Sequence, residues 1–132
     1  MKLKIFCDGG ARGNPGPAAA GVVIKDERNG VLFRGGKYLG ETTNNQAEYQ
    51  AVIFAFEKAK ELGASEIEFN LDSELVVRQL NGEYKVKNQE LAQQFLKIWN
   101  WQNQFKKVEY HHIYREDNAE ADALVNETLD KK

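Results

Sequence analysis

Leu3, Ile5 and Cys7 alternate with Lys2, Lys4 and Phe6, the two-residue period of a strand with one face in a core. This run ends on Asp8, and Gly-Gly-Ala-Arg-Gly-Asn-Pro-Gly-Pro over residues 9–17 reads as a turn-rich loop. Residues 18–25 predict a second strand, residues 26–30 a polar turn and residues 31–39 a third strand, so the connections favour an antiparallel meander. The period then changes. Ala47, Ala51, Ala55, Ala59 and Leu62 recur at helical spacing after the N-cap choices Thr42, Thr43, Asn44 and Asn45, and Gly63 stops the helix, which places Glu48 in its first turn. Ile67, Phe69 and Leu71 alternate as a fourth strand reaching Asp72, and Ser73 can cap a short helix through Leu80. Residues 91–105 read as helix, 108–114 as a fifth strand and 118–129 as a closing helix with Asp122 near its start. A hairpin meander followed by helical crossovers predicts an α/β fold with a mixed sheet flanked by helices.

With 132 residues, 42% of them hydrophobic, the chain can bury a core as one domain spanning residues 1–132. Cys7 is the only cysteine, which excludes an intrachain disulfide and a thiolate zinc site. The N-terminus lacks the apolar run of a signal peptide and no stretch is long and uncharged enough to cross a bilayer, so the expectation is a cytoplasmic protein without membrane contact. Eighteen Lys and Arg against twenty Asp and Glu give a net charge of −2, which offers no global attraction to phosphate backbones. That argument against a nucleic-acid partner weakens if some of the acids hold metal, because bound cations change the charge an approaching phosphate meets.

Four acids are candidates for this. Asp8 and Asp72 fall at or near strand ends, Glu48 and Asp122 near helix starts, and in open α/β sheets ligands gather outside the carboxyl ends of strands. Carboxylates that converge repel and raise one another's pKa unless a cation neutralises them, so a tight cluster predicts Mg2+ or Mn2+, which prefer oxygen ligands. Any one of twenty acids, taken singly, is better read as a solvated surface residue or a cap. The residues around these four change the odds.

Asp8-Gly9-Gly10-Ala11-Arg12-Gly13-Asn14-Pro15-Gly16, then Thr42-Thr43-Asn44-Asn45-Gln46-Ala47-Glu48-Tyr49, then Asp72-Ser73, then Arg115-Glu116-Asp117-Asn118-Ala119-Glu120-Ala121-Asp122 resemble, in order, the motifs of type 1 ribonuclease H. The resemblance covers nearly the whole chain. It implies a ribonuclease H-like fold, a five-stranded sheet ordered 3-2-1-4-5 with strand 2 antiparallel. It also implies an endonuclease that cuts the RNA strand of RNA/DNA hybrids with two Mg2+ ions, or Mn2+ in their place, leaving 5'-phosphate and 3'-hydroxyl ends. By position Asp8 matches the family's metal-bridging aspartate, Glu48 and Asp72 match ligands on the leaving-group side, and Asp122 matches the fourth acid. Gly9, Gly10, Ala11 and Arg12 with Glu48 match the groups that read the 2'-hydroxyl, which separates RNA from DNA. Asn14, Asn44 and Asn45 match minor-groove contacts, although turns and N-caps are equally ordinary work for Asn. Thr43 and Asn88 match residues that grip a phosphate of the DNA strand, and Glu41 stands where some members carry arginine.

The chain also departs from many members. Residues 81–88, Asn-Gly-Glu-Tyr-Lys-Val-Lys-Asn, lead straight into the next helix with no inserted basic protrusion, which predicts weaker hybrid binding and a shallower salt dependence. The loop before Asp122 carries no histidine, leaving Arg115 and Glu116 as candidate auxiliaries. Of the paired histidines, His112 shares a strand face with Val108 and Tyr110 and is expected to be packed; Trp99 is expected inside. These features resemble the compact archaeal-like subgroup, with double-stranded RNA as a candidate second substrate and a monomer as the expected state. The same fold also carries other nucleases and could carry a hybrid-binding module without activity, a reading that retention of all four acids disfavours.

Overall fold

The computed structural model describes residues 1–132. Strands β1 (Lys2–Ala11), β2 (Gly16–Lys25), β3 (Val31–Thr42), β4 (Glu66–Leu71) and β5 (Lys107–His112) form one sheet in the order β3-β2-β1-β4-β5. β2 runs antiparallel to β1 and β3, while β1, β4 and β5 are parallel, as the resemblance implies. Helices α1 (Asn44–Glu61), α2 (Glu74–Leu80), α3 (Gln89–Gln102) and α4 (Ala119–Asp130) complete the fold, with a 3-10 turn at Arg115–Asn118 leading into α4.

One face of the sheet buries Leu3, Ile5, Cys7, Ala20, Val22 and Ile24 together with Val52, Phe56 and Phe69. The other face packs Ala19 against Val125 and Leu129 of α4. Small residues at helical spacing, Ala47, Ala51, Ala55 and Ala59, line the buried stripe of α1. The Thr43 hydroxyl accepts the Gln46 N–H at 3.2 Å to start α1, and Gly63, at φ 79°, follows its end. Ser73 caps α2 through the Val76 N–H, and the buried Tyr49 hydroxyl donates to Gln79 Oε1 at 2.6 Å, tying α1 to α2.

Two glycines set how closely the helices approach. A Cβ on Gly9 would lie 2.1 Å from the Ala47 carbonyl oxygen, and one on Gly21 would lie 2.3 Å from that of Ala121. Asp8 is paired in register with Gly21, so α1 and α4 both press onto the sheet beside Asp8.

Several expectations need correction. β1 does not end on Asp8 but continues to Ala11, because residues 8–11 keep pairing with residues 18–21 of β2. With α1 starting at Asn44, Glu48 stands at the fifth helical position, in the second turn. Trp99 is 51% exposed, and Trp101 is the tryptophan that packs inward, stacked on Phe56 with centroids 6.3 Å apart. The buried stripe of α3 runs through Leu91 and Ile98, and Trp99 lies one residue, about 100°, past it. His112 is exposed although Tyr110, two residues earlier on the same face, is buried, because β5 ends there and only the Tyr114 ring lies edge-on to it.

Candidate active site

The four acids come from four elements. Asp8 is carried inside β1, Glu48 by α1, Asp72 by the turn that follows β4, and Asp122 by the first turn of α4. All four line one cleft together with Gly9, Gly10, Ala11, Arg12, Asn44, Asn45, Ser73, Arg115 and Asn126. Asp8, Glu48 and Asp72 each offer one carboxylate oxygen to a set lying within 4.8 Å of one another. Asp122 stands outside that closest trio, yet its charge adds to the upward pressure on the Asp8 pKa.

Glu48 is fixed by the close crossing at Gly9. Its Oε1 accepts the Gly9 N–H at 3.0 Å, while its buried Oε2 has no hydrogen-bond partner. A buried carboxylate oxygen without a donor is costly as an anion, and burial, followed by contact with the Asp8 carboxyl, pushes the Glu48 pKa up. Asp8, only 8% exposed, is raised from 3.8 to about 6, chiefly by burial and then by the charges of Asp72 and Asp122, against a lowering interaction with the neighbouring Glu48 carboxyl. Burial beneath these acids also raises the Cys7 thiol pKa, so Cys7 stays a neutral core residue. An all-oxygen donor set with an orphaned buried oxygen fits a hard divalent cation, whose charge would remove the penalty that protonation otherwise relieves.

The profile of the family described as Reverse transcriptase-like matches residues 6–128. The chain superposes on the crystal structure of RNase H1 from the halophilic archaeon Halobacterium salinarum with a TM-score of 0.98 at 39% identity, covering 100% of both chains. It belongs to the type 1 ribonuclease H family. LC11-RNase H1, in a structure with an RNA/DNA hybrid, superposes with a TM-score of 0.93 at 48% identity over 98% of this chain and 97% of that one. A bifunctional protein of Mycobacterium tuberculosis is 39% identical over 131 residues, and this chain spans 36% of its length. The Ribonuclease HI sequence of Halobacterium salinarum is 40% identical over 129 residues, and the chain spans 65% of it.

Around the acids, this ribonuclease H domain places the other candidate residues in three groups. The β1–β2 turn is pinned to the start of α1, with the Ala11 N–H donating to Asn44 Oδ1 at 2.8 Å and the Asn44 N–H to Asn14 Oδ1 at 3.0 Å. Asn14, Thr43, Asn44, Asn45 and Asn88 line a second pocket beside the cleft, where Asn88 also caps α3 by accepting the Leu91 N–H at 3.0 Å. The acid lining that pocket is Glu90, which accepts from Gln46 Nε2 at 3.0 Å, while Glu41 does not line it. Arg115 lines the acidic cleft, whereas Glu116 lines a separate pocket with Phe6, Lys25 and Glu120.

Asn118 is a residue that sequence reasoning placed only as a helix start. It is 1% exposed and makes no cap bond; its Nδ2 donates to Asp72 Oδ2 at 3.1 Å and to the Cys7 carbonyl at 3.1 Å. It thereby orients Asp72 against β1. An Asn ahead of a helix carries the same local signal whether it caps or turns inward, so the sequence could not separate the two roles.

Proposed function

We propose that this domain is an endoribonuclease that hydrolyses the RNA strand of RNA/DNA hybrids, leaving 5'-phosphate and 3'-hydroxyl ends. The observation that carries the reading is the convergence of Asp8, Glu48 and Asp72 within 4.8 Å, with Asp122 in the same cleft and Glu48 Oε2 buried without a partner. The likeness to LC11-RNase H1, solved in complex with an RNA/DNA hybrid, supports it.

Asp8, Glu48, Asp72 and Asp122 would hold two Mg2+ ions, or Mn2+, which supply an activated water and stabilise the leaving oxygen of an in-line displacement. The chain's own part is to hold the ligands and select the strand. Gly9 N–H fixes Glu48, and Asn118 fixes Asp72, so both carboxylates are oriented before substrate arrives. The N–H groups of Gly9, Ala11 and Arg12 already donate to Glu48, Asn44 and Pro17. The Glu48 carboxylate on this wall is an acceptor suited to a 2'-hydroxyl, which a DNA strand lacks. Asn44 and Asn45 line both the cleft and the neighbouring pocket, a position suited to following the minor groove. Thr43 and Asn88 would meet a DNA-strand phosphate in the second pocket, whose Glu90 weakens that grip. Arg115 is placed to assist at the scissile phosphate, a role that Glu116 in its separate pocket does not share.

No helix is long and apolar enough to cross a membrane. The reading includes a single ribonuclease H domain over residues 1–132, monomeric and acting in the cytoplasm, with double-stranded RNA as a secondary substrate. The test is cleavage of a labelled hybrid beside single-stranded RNA, double-stranded RNA and DNA duplex, with Mg2+, Mn2+ or chelator. Hybrid-selective cutting that chelator abolishes is expected; a folded protein that leaves the hybrid intact with either metal would sink the assignment.

A further inference from the structure

Among the residues lining the acidic cleft only Arg12 and Arg115 are cations, set against four carboxylates in a chain of net charge −2. Positive charge for a phosphate backbone is therefore scarce, and one of the two arginines is engaged elsewhere. Arg12 Nη2 lies 2.6 Å from Asp130 Oδ1 and 3.4 Å from the Asn126 carbonyl oxygen, both on the C-terminal part of α4. We propose that Arg12 is a phosphate-binding residue of the substrate cleft held in reserve by Asp130, which competes with the nucleic-acid backbone for its guanidinium. The proposal rests on the hybrid-cleavage reading above.

A purely structural role leaves little for this ion pair to do. The Arg12 and Asp130 side chains are 47% and 68% exposed, and ion pairs so open to water contribute little to stability. The turn that carries Arg12 is already held by backbone. Arg12 N–H donates to the Pro17 carbonyl at 2.8 Å, Ala11 and Asn14 are tied to Asn44, and a Cβ on Gly16 would lie 2.0 Å from the Arg12 carbonyl oxygen. The main chain cannot yield, but an exposed side chain can rotate.

Chemically the exchange is even-handed. A phosphate offers guanidinium the same paired anionic oxygens as a carboxylate, with room for a bidentate contact. Arg12 lines the cleft, while Asp130, eight residues beyond Asp122 on the same helix, does not. Swinging from Asp130 to a strand lying over Asp122 thus exchanges one anion for another without leaving α4. The absence of a basic insertion over residues 81–88 makes each such contact a larger share of the total.

The test is equilibrium binding of a fluorescent RNA/DNA hybrid, with chelator present to prevent cutting, at several salt concentrations. Wild type, D130N, R12Q and the double variant are compared. D130N is expected to tighten binding by about two- to fivefold, the range an exposed ion pair spans. R12Q should weaken binding and lower the salt slope by about one. In the R12Q background D130N should change nothing, because Asp130 acts through Arg12. Equal tightening by D130N in both backgrounds would reveal simple charge repulsion and overturn the proposal, as would a full salt slope in R12Q. A wild type that binds no hybrid and cuts none overturns the substrate assignment as well, so the two failures are distinguishable.

Discussion

Replacing Asp8 by Asn should stabilise the metal-free protein while destroying its activity. Asp8 is raised from 3.8 to about 6 by burial and by the neighbouring acids, so between those values the folded state holds a proton that the unfolded state has released. Stability therefore falls as pH rises through that window: the penalty is absent below 3.8 and complete above 6. A displacement of this size corresponds to about 3 kcal/mol at neutral pH. Asn carries no charge, and its amide N–H groups can donate to Asp72 or Asp122. A gain of about 3 kcal/mol is then the expected order, worth on the order of 10 °C in Tm for a chain of this length.

The assay is thermal unfolding of wild type and Asp8→Asn by circular dichroism across pH, in chelator and in Mg2+. In chelator the variant should unfold at higher temperature at neutral pH, and its advantage should shrink as pH drops below about 6 and vanish near 4. Mg2+ should raise the wild-type Tm and leave the variant almost unmoved, because a ligand that binds only the folded state stabilises by mass action. A variant less stable than wild type in chelator at neutral pH, or an advantage independent of pH, would refute the electrostatic account of the site.

Glu48→Gln and Asp72→Asn should each reduce hybrid cleavage to near background with the circular dichroism spectrum unchanged, whereas Asp122→Asn, outside the closest trio, should keep measurable turnover. Asn118→Ala removes one buried and one part-buried hydrogen bond and is expected to cost about 1–3 kcal/mol by urea unfolding and to lower kcat more than it raises KM, since Asp72 loses its anchor. Gly9→Ala puts a methyl group 2.1 Å from the Ala47 carbonyl oxygen, so it should destabilise by about 3 kcal/mol or more and depress activity by displacing Glu48; an unchanged kcat would show that α1 does not rest on Gly9. Trp101→Ala should lower stability by about 1–3 kcal/mol while Trp99→Ala stays within about 0.5, and the reverse order would mean that α3 is rotated about its axis.

The parts of this fold legible in the sequence are those where one periodicity acts alone. β1 and β4 bury one face under helices, and their alternation is clear; α1 declares itself through its alanine stripe and the stop at Gly63. Errors arose where two influences overlap. β1 continues past Asp8 through Gly9 and Gly10, residues that look like a turn, because the pairing is sustained by β2 and the small side chains admit the backbone of α1. α3 has aromatics on two sides, Trp99 and Trp101 standing about 160° apart around its axis, so which one faces inward depends on where Leu91 and Ile98 set the buried stripe. The site shows the same division. Its four acids could be picked out by the residues beside them, but the partners that orient them could not. Gly9 serves Glu48 through a backbone N–H, and Asn118 reaches Asp72 across 46 residues of sequence. The surrounding packing is close because α1 meets β1 at Gly9 and α4 meets β2 at Gly21. The approach that brings Asp8, Glu48 and Asp72 within 4.8 Å is thus helped by residues with no side chain, and the most informative substitutions include positions that carry none of the chemistry.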